Sequence, residues 1–354
     1  YYTGIVRDKL GRKMSKSLGN SPDPLDLIEQ FGADGVRVGT LISSPAGNDL
    51  PFDSSQCEQG RNFTNKVWNA YRLLVSWEER DFRQPESSVL AAKWFDARFN
   101  QVLLEINDAF DKFRISEALM LTYKLVWDDF CSWYLEMIKP GYEQPIDGET
   151  KKQAISFFEK LLQIMHPFTP FVSEELWHLI KKREEGNDII VSLWPKVQDG
   201  ETNYLELFKS TEEVIIGIRN IRKAGNIANK VRLDLKVKNN NESSVLFDPI
   251  ILKMGNLSSL EYVKSKPQQV NSFLVQGNEY FVPFGEDIDI ESERKKIHEE
   301  LTYTKGFLRS VQAKLHNEKF VAGAPQLVVD MEKKKESDAL TKINLLEDKL
   351  KDLN

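Results

Sequence analysis

From residue 54 to about 228, apolar residues recur at helical spacing. Phe63, Val67, Ala70, Tyr71 and Leu74 fall at three- and four-residue steps, as do Phe99, Val102, Leu103, Ile106 and Phe110. A third run carries Leu119, Tyr123, Val126, Trp127, Phe130, Trp133, Tyr134 and Met137, and Pro140-Gly141 stops it. A fourth covers about 150–165 and ends before Pro167. A fifth starts near Ser173, with Glu174 or Glu175 as its capping partner, and carries Leu176, Trp177 and Leu179. A sixth covers 211–228. Consecutive amphipathic helices of this kind predict a bundle.

The flanks have other periods. Tyr1–Val6 has strand propensity and leads through the turn-like Asp8-Lys9-Leu10-Gly11 into a loop. Asp23 is suited to cap a helix that Pro24 opens and Gly32 closes, and Asp34 to cap the next through Val36, Val38 and Leu41. After the helical segment, VRLDLKVK (231–238) alternates at the strand period. A short helix over 246–254 and strands over 260–263, 272–275 and 279–282 complete a small α+β module. From about residue 287, Ile297, Leu301, Thr304, Leu308, Val311 and Leu315 follow a heptad. Ala339, Ile343, Leu346, Leu350 and Leu353 repeat it after NEKFVAGAP (317–325), which predicts an antiparallel coiled-coil hairpin. The expected fold is therefore mainly α, divided at 1–54, 55–228, 229–286 and 287–354.

Composition narrows the function classes. With 41% hydrophobic and 29% charged residues, a chain of 354 can bury cores in several domains. No run of eighteen apolar residues occurs, so no membrane span is expected, and no secretory signal opens the chain. Cys57 and Cys131 lie far apart, and His166, His178, His298 and His316 are scattered, so neither a disulfide framework nor a metal site is expected. The cysteine usage fits a reducing compartment, the cytoplasm. A net charge of −6 does not suggest non-specific nucleic-acid binding, although local basic faces remain compatible with it.

The densest chemistry lies in Lys13-Met14-Ser15-Lys16-Ser17, within RKMSKSLGN and between Gly11 and Gly19-Asn20. Mobile cations, hydroxyls and backbone N–H groups on a glycine-bounded loop suit a polyphosphate; the alternative is a solvated basic turn. Two further groups are candidates for RNA contact. Arg61, Asn65, Lys66 and Asn69 share one helix, and Arg219, Arg222 and Lys223 form a basic stripe on a later one. Either could equally be a solvated face. Trp68, Trp127 and Trp133 could stack on bases or pack in the core. Lys305, Arg309, Lys314 and Lys319, interleaved with acids, could follow a phosphate backbone.

RKMSKSLGN resembles the signature loop of the class I aminoacyl-tRNA synthetases. The segment 18–53, RNFTNKVWNA (61–70), WDDFCSWYLEMIKP (127–140) and HPFTPFVSEELW (166–177) are similar to the members specific for valine, isoleucine and leucine. The terminal hairpin with NEKFVAGAP resembles the valine type. The isoleucine type would bring zinc-binding cysteines that are lacking here, and the leucine type has a different C-terminal domain. The resemblance implies an ATP-dependent ligase of valine and its tRNA, acting as a monomer with Mg2+. Lys16 and then Lys13 would contact ATP, assisted by Ser15 and Ser17, while the helical segment and the hairpin would hold tRNA. The partner signature His-Ile-Gly-His does not occur in the chain. The loop is thus expected to be half of a site, on a C-terminal part of a longer enzyme that is inactive alone and whose first twenty residues are loosely held. A coiled-coil interaction module without RNA, or another adenylate-forming relative, are the alternatives.

Overall fold

A computed structural model describes residues 4–42, 44, 48–198, 202–238, 245–283, 290–316 and a subset of 329–350. The chain divides into two compact units, Tyr1–Thr211 and Glu212–Asn354.

The first unit opens with β1 (Val6–Arg7), a 3-10 turn at Lys16–Leu18, α1 (Pro24–Phe31), α2 (Ala33–Ile42) and β2 (Leu50–Pro51). Strands β1 and β2 pair in parallel, Val6 beside Leu50. Local capping acts as its residues dictate: the Asp23 carboxylate accepts from Leu25 N–H, Pro24 opens α1, and Gly32 ends it at φ 77°. The bundle follows as α3 (Ser54–Ser76), β3 (Glu79–Arg80), α4 (Glu86–Asp111), α5 (Ile115–Lys124), a π-helical stretch (Leu125–Tyr134), α6 (Leu135–Ile138), β4 (Ile146–Asp147), α7 (Gly148–Met165) and α8 (Pro170–Ile180). Its core is aromatic. Phe95 lies 4.9 Å from Tyr134 and 5.3 Å from Phe130, which is 5.9 Å from Phe158.

Helices α2 and α3 touch backbone to backbone. A Cβ on Gly39 would stand 2.5 Å from the Cys57 nitrogen, and one on Gly60 would stand 2.3 Å from the Gly35 oxygen. Only glycine permits that approach.

Two capping expectations are corrected at this joint. Asp34 lies inside α2 and is buried; its carboxylate accepts from Phe171 N–H (3.3 Å) and Val172 N–H (2.7 Å), and so caps α8 across the fold. Helix α8 accordingly starts at Pro170, ahead of Ser173. Ser173 is buried, donates to the Thr169 carbonyl and meets His166 Nδ1 at 2.8 Å. The neighbouring guanidinium of Arg37 donates to the carbonyls of Pro167 (2.9 Å) and Phe168 (3.2 Å). One face of α2 thereby holds the chain on both sides of Thr169-Pro170.

Helix α9 (Asn203–Ala224) starts and ends earlier than the expected 211–228 and carries the chain from one unit to the other. The second unit holds β5 (Leu233–Lys238), α10 (Asp248–Met254), β6 (Leu257–Tyr262), β7 (Val270–Val275) and β8 (Asn278–Pro283). The sheet order is β6-β5-β8-β7, with β5 and β6 parallel and the β5–β8 and β7–β8 pairs antiparallel. Val214 and Ile218 of α9 join Leu235, Val237, Ile251 and Val282 in its core. The sheet thus claims the end of α9, which the helical periodicity assigns to the bundle. Beyond it, α11 (Ile290–Leu315) is followed by helical residues between 329 and 350. Ile297 and Leu301 cluster with Ile343 and Leu346. Lys305 pairs with Glu347 at 2.6 Å, and Gln312 bonds Glu336 at 3.0 Å. NEKFVAGAP lies outside the described residues, as does Lys319.

Candidate functional site

The loop is a layered hydrogen-bonded object built on β1. Met14 N–H donates to the Val6 carbonyl (3.0 Å) and Asp8 N–H to that of Arg12 (2.9 Å), which close a tight hairpin. Asp8 fills that turn. Its Oδ1 accepts from the N–H groups of Leu10 (3.0 Å) and Arg12 (2.9 Å), and its Oδ2 accepts from Arg12 Nε (2.8 Å) and Asn20 Nδ2 (3.0 Å). The Asn20 amide, then the Arg12 guanidinium, hold the Asp8 carboxyl far below the usual carboxylate range. The base of the hairpin is tied to β2: Arg7 pairs with Asp49, whose Oδ1 accepts from Ile5 N–H at 3.0 Å.

The signature residues stand on this frame. Ser15 caps the 3-10 turn through its Oγ, which accepts from Leu18 N–H (3.3 Å) and lies 3.1 Å from Ser17 Oγ. Gly19 closes the turn at φ 65°, where a side chain would be strained. Lys13 and Lys16 are both exposed, and neither side chain has a hydrogen-bond or ion-pair partner among the described residues. No residue from 4 to 30 is buried, but the hairpin is joined to its own unit through Arg7 and Ile5 to Asp49 and through Lys9 to Asp53 at 3.1 Å. Internally, the loop's polar side chains other than Lys13 and Lys16 are hydrogen-bonded or ion-paired.

The two groups proposed for RNA contact fare differently. On α3, Asn65 and Asn69 are exposed. Arg61 lies over the Phe31 ring at 5.7 Å, and Lys66 lies over the Trp127 ring at 5.1 Å. Trp127 stacks on Tyr123 at 5.5 Å, and Tyr123 stacks on Phe63 at 4.7 Å. This ladder is half-buried at its Trp127 end, so a ring and a cation are presented together. Trp133 packs edge-on against Phe208. Trp68 lines an open cavity of about 420 Å³ with Phe31, Asp34, Asn65, Phe171 and Glu175.

On α9, Arg219 and Lys223 are exposed but Arg222 is not, so the three-residue stripe is corrected to two. The Arg222 guanidinium donates to four carbonyls, those of Ala228 (3.3 Å), Val231 (2.8 Å), Gly255 (2.9 Å) and Asn256 (3.1 Å). It clamps the turn after α9 to the turn after α10, a task suited to its planar fork of donors. On the terminal helices Lys305 and Lys314 face Glu347 and Glu332, while Arg309 is exposed.

The fold also brings one scattered histidine between two acids. His178 Nε2 lies 3.1 Å from Glu174 and 3.0 Å from Asp188. Glu174 is four residues before it on α8, whereas Asp188 arrives by a loop that the spacing could not place. What the residue-by-residue reading missed most is the pair Asp8 and Asn20. The signal was the polar pair itself, flanking the lysines in a loop with no apolar anchor.

Three family profiles match the chain. Residues 1–53 match tRNA synthetases class I (I, L, M and V). Residues 92–238 match the anticodon-binding domain of tRNA ligase, and residues 289–354 match the valyl tRNA synthetase tRNA binding arm. Among curated proteins, the valine–tRNA ligase of Christiangramia forsetii is 54% identical over all of this chain, and that of Parabacteroides distasonis is 52% identical over 99%. The valine–tRNA ligase of Bacillus thuringiensis is 35% identical over 99% of the chain. The chain spans 40–41% of the length of these relatives.

Proposed function

The chain belongs to the valine–tRNA ligase family of class I tRNA synthetases, and from that premise we propose that it serves the ATP-dependent joining of valine to its tRNA. In that reaction a valine carboxylate oxygen bonds to the α-phosphorus of ATP as the bond to the β-phosphate oxygen breaks. Valyl-adenylate and pyrophosphate result. The terminal ribose hydroxyl of the tRNA then displaces AMP. The observation that carries the reading is the pair of cations, Lys13 and Lys16, without a side-chain partner among the described residues, on a loop whose other polar side chains are already engaged. Charge developing on the phosphate oxygens is what such cations stabilise. Lys16 is the principal contact and Lys13 the second; the Ser15 and Ser17 hydroxyls keep the turn in shape or reach the phosphate. Mg2+ would come with the nucleotide phosphates and take no ligand from this loop, whose carboxylate, Asp8, is held by Arg12 and Asn20.

The tRNA is held by the helical surface and the terminal arm. Asn65, Asn69, Lys66 and Arg61 on α3, with the Trp127 ring, offer hydrogen bonds, charge and a stacking face. Arg219 and Lys223 add phosphate contacts. The helices on either side of 317–328 form an antiparallel coiled-coil hairpin. The hydrophobic cluster of Ile297, Leu301, Ile343 and Leu346 and the pairs Lys305–Glu347 and Gln312–Glu336 support that arrangement. The enzyme works as a monomer in the cytoplasm; no described helix is long and apolar enough to cross a membrane. The test is Lys16→Ala in the full-length ligase. Valine-dependent ATP–pyrophosphate exchange should fall roughly 10²–10³-fold, the cost of one lost charge contact to a transition state, with valine binding unchanged. An exchange rate near wild type would refute a catalytic role for the loop.

A further inference from the structure

We propose that Asn20 is the positioning residue that sets how the loop offers Lys13 and Lys16 to the nucleotide; this rests on reading the loop as half of the ATP site. One side-chain amide is used at both ends. Its Oδ1 accepts from Ser15 N–H at 2.9 Å. Its Nδ2 donates to the Lys13 carbonyl at 3.3 Å and to Asp8 Oδ2 at 3.0 Å. The amide therefore bonds the main chain on either side of Met14, between the two lysines, and ties that segment to the hairpin turn.

The Val6 carbonyl holds Met14 N–H at 3.0 Å on the hairpin side, and the other bonds of the loop do not cross Met14. Leu18 to Ser15 Oγ and Gly19 to the Lys16 carbonyl are internal to the 3-10 turn. The Asp8 bonds to Leu10 and Arg12 are internal to the hairpin. Among the described residues no other side chain joins the two. Without Asn20 the turn that carries Lys16 could rotate about Met14 relative to the hairpin that carries Lys13. Each lysine would keep its charge but lose its place.

The chemistry demands an amide at this position. Three bonds need one acceptor and two donors on a short arm, and asparagine alone supplies them at that reach. Aspartate would keep the shape and the acceptor. It would also lose both donors and set a second carboxylate against Asp8, which is already ionised and committed to Arg12.

The experiment uses the full-length ligase with four variants, Asn20→Asp, Lys16→Ala, the pair of these together, and Asn20→Asp with Asp8→Asn. The readouts are valine-dependent ATP–pyrophosphate exchange, the KM for ATP and valine, and thermal unfolding. A misplacement of reacting groups by about 1 Å can cost on the order of a hundredfold. Asn20→Asp should therefore lower the exchange kcat about 10- to 100-fold, with the KM for valine and the unfolding temperature unchanged. Because Asn20 acts through the lysines, adding Asn20→Asp to Lys16→Ala should cost less than Asn20→Asp costs alone. Asp8→Asn should recover part of the Asn20→Asp loss, since its amide can donate where the charge repelled. Full activity of Asn20→Asp beside an inactive Lys16→Ala overturns this inference alone. Full activity of Lys16→Ala overturns the reading of the loop itself. Losses that multiply in the double variant, or no recovery with Asp8→Asn, would show that Asn20 does not act by placing the lysines.

Discussion

Arg222→Met separates a structural arginine from an RNA-binding one. The substitution keeps an unbranched side chain of similar length and removes all five donors. Four carbonyls lose a partner. Those of Ala228 and Val231 belong to exposed residues and regain water, whereas Gly255 is buried and Asn256 half-buried. Leaving a buried acceptor unpaired costs about 1–3 kcal/mol; the Asn256 carbonyl still accepts from Leu233 N–H at 3.3 Å, so the Gly255 carbonyl alone sets the expected loss at about 1–3 kcal/mol. The desolvation of the guanidinium, which pushes its pKa down, is relieved in the variant and places the figure toward the lower end. All seven tryptophans precede residue 195, so indole fluorescence follows the first unit only. The sheet is followed instead by hydrogen exchange of the amides of β5 and β8. A loss of about 1.4 kcal/mol lowers their protection roughly tenfold. The variant should bind valine tRNA with an unchanged dependence on salt, because no phosphate contact is lost. Unchanged protection together with a shallower salt dependence would refute the reasoning and return Arg222 to the RNA face.

Other consequences can be tested alongside it. Gly39→Ala places a Cβ 2.5 Å from the Cys57 nitrogen, so α2 and α3 must part; fluorescence-detected urea unfolding should show the first unit destabilised by at least about 1–3 kcal/mol, and an unshifted midpoint would contradict the packing. Hydrogen bonds from Ser259 and Ser258 hold the Asp234 carboxyl below its usual range. Its folded pKa is thus depressed, and its contribution is present above the unfolded value of about 3.9 and is lost as pH falls through the folded value. Sheet protection should drop below that pH in the wild type and less steeply in Asp234→Asn, and equal slopes would contradict the assignment. Deleting 287–354 from the full-length ligase should raise the KM for tRNA and flatten its salt dependence while leaving pyrophosphate exchange intact; unchanged tRNA affinity would leave the arm without an RNA role.

What could be read from the residues was what short-range chemistry decides. Asp23, Pro24 and Gly32 mark α1 because each acts within two or three residues of itself. The alternation in 231–238 and the heptads after 287 mark elements whose burial is periodic. The misreadings concern side chains whose partners lie outside their own element. Asp34 reads as a local cap, yet its acceptors serve N–H groups 137 and 138 residues away. Arg222 reads as part of a surface stripe, yet the turns at 228–231 and 255–256 fold over it. Helix α9 reads as bundle throughout, yet the sheet supplies the apolar surface that Val214 and Ile218 need. In the loop the lysines were legible from their order, while their frame was not, because an asparagine and an aspartate declare no partner until the hairpin brings them within 3.0 Å.

We propose that this chain carries the tRNA-holding part and the lysine-bearing half of the ATP site of a valine–tRNA ligase. Titration of labelled valine tRNA with the 354-residue chain, over a range of salt and with pyrophosphate exchange measured on the same sample, tests it most directly. The account predicts saturable binding that weakens log-linearly with salt, weaker binding by an Arg219→Ala, Lys223→Ala double variant, and no valine-dependent exchange. Failure to bind the tRNA at low salt, or valine-dependent exchange by the chain alone, would contradict it.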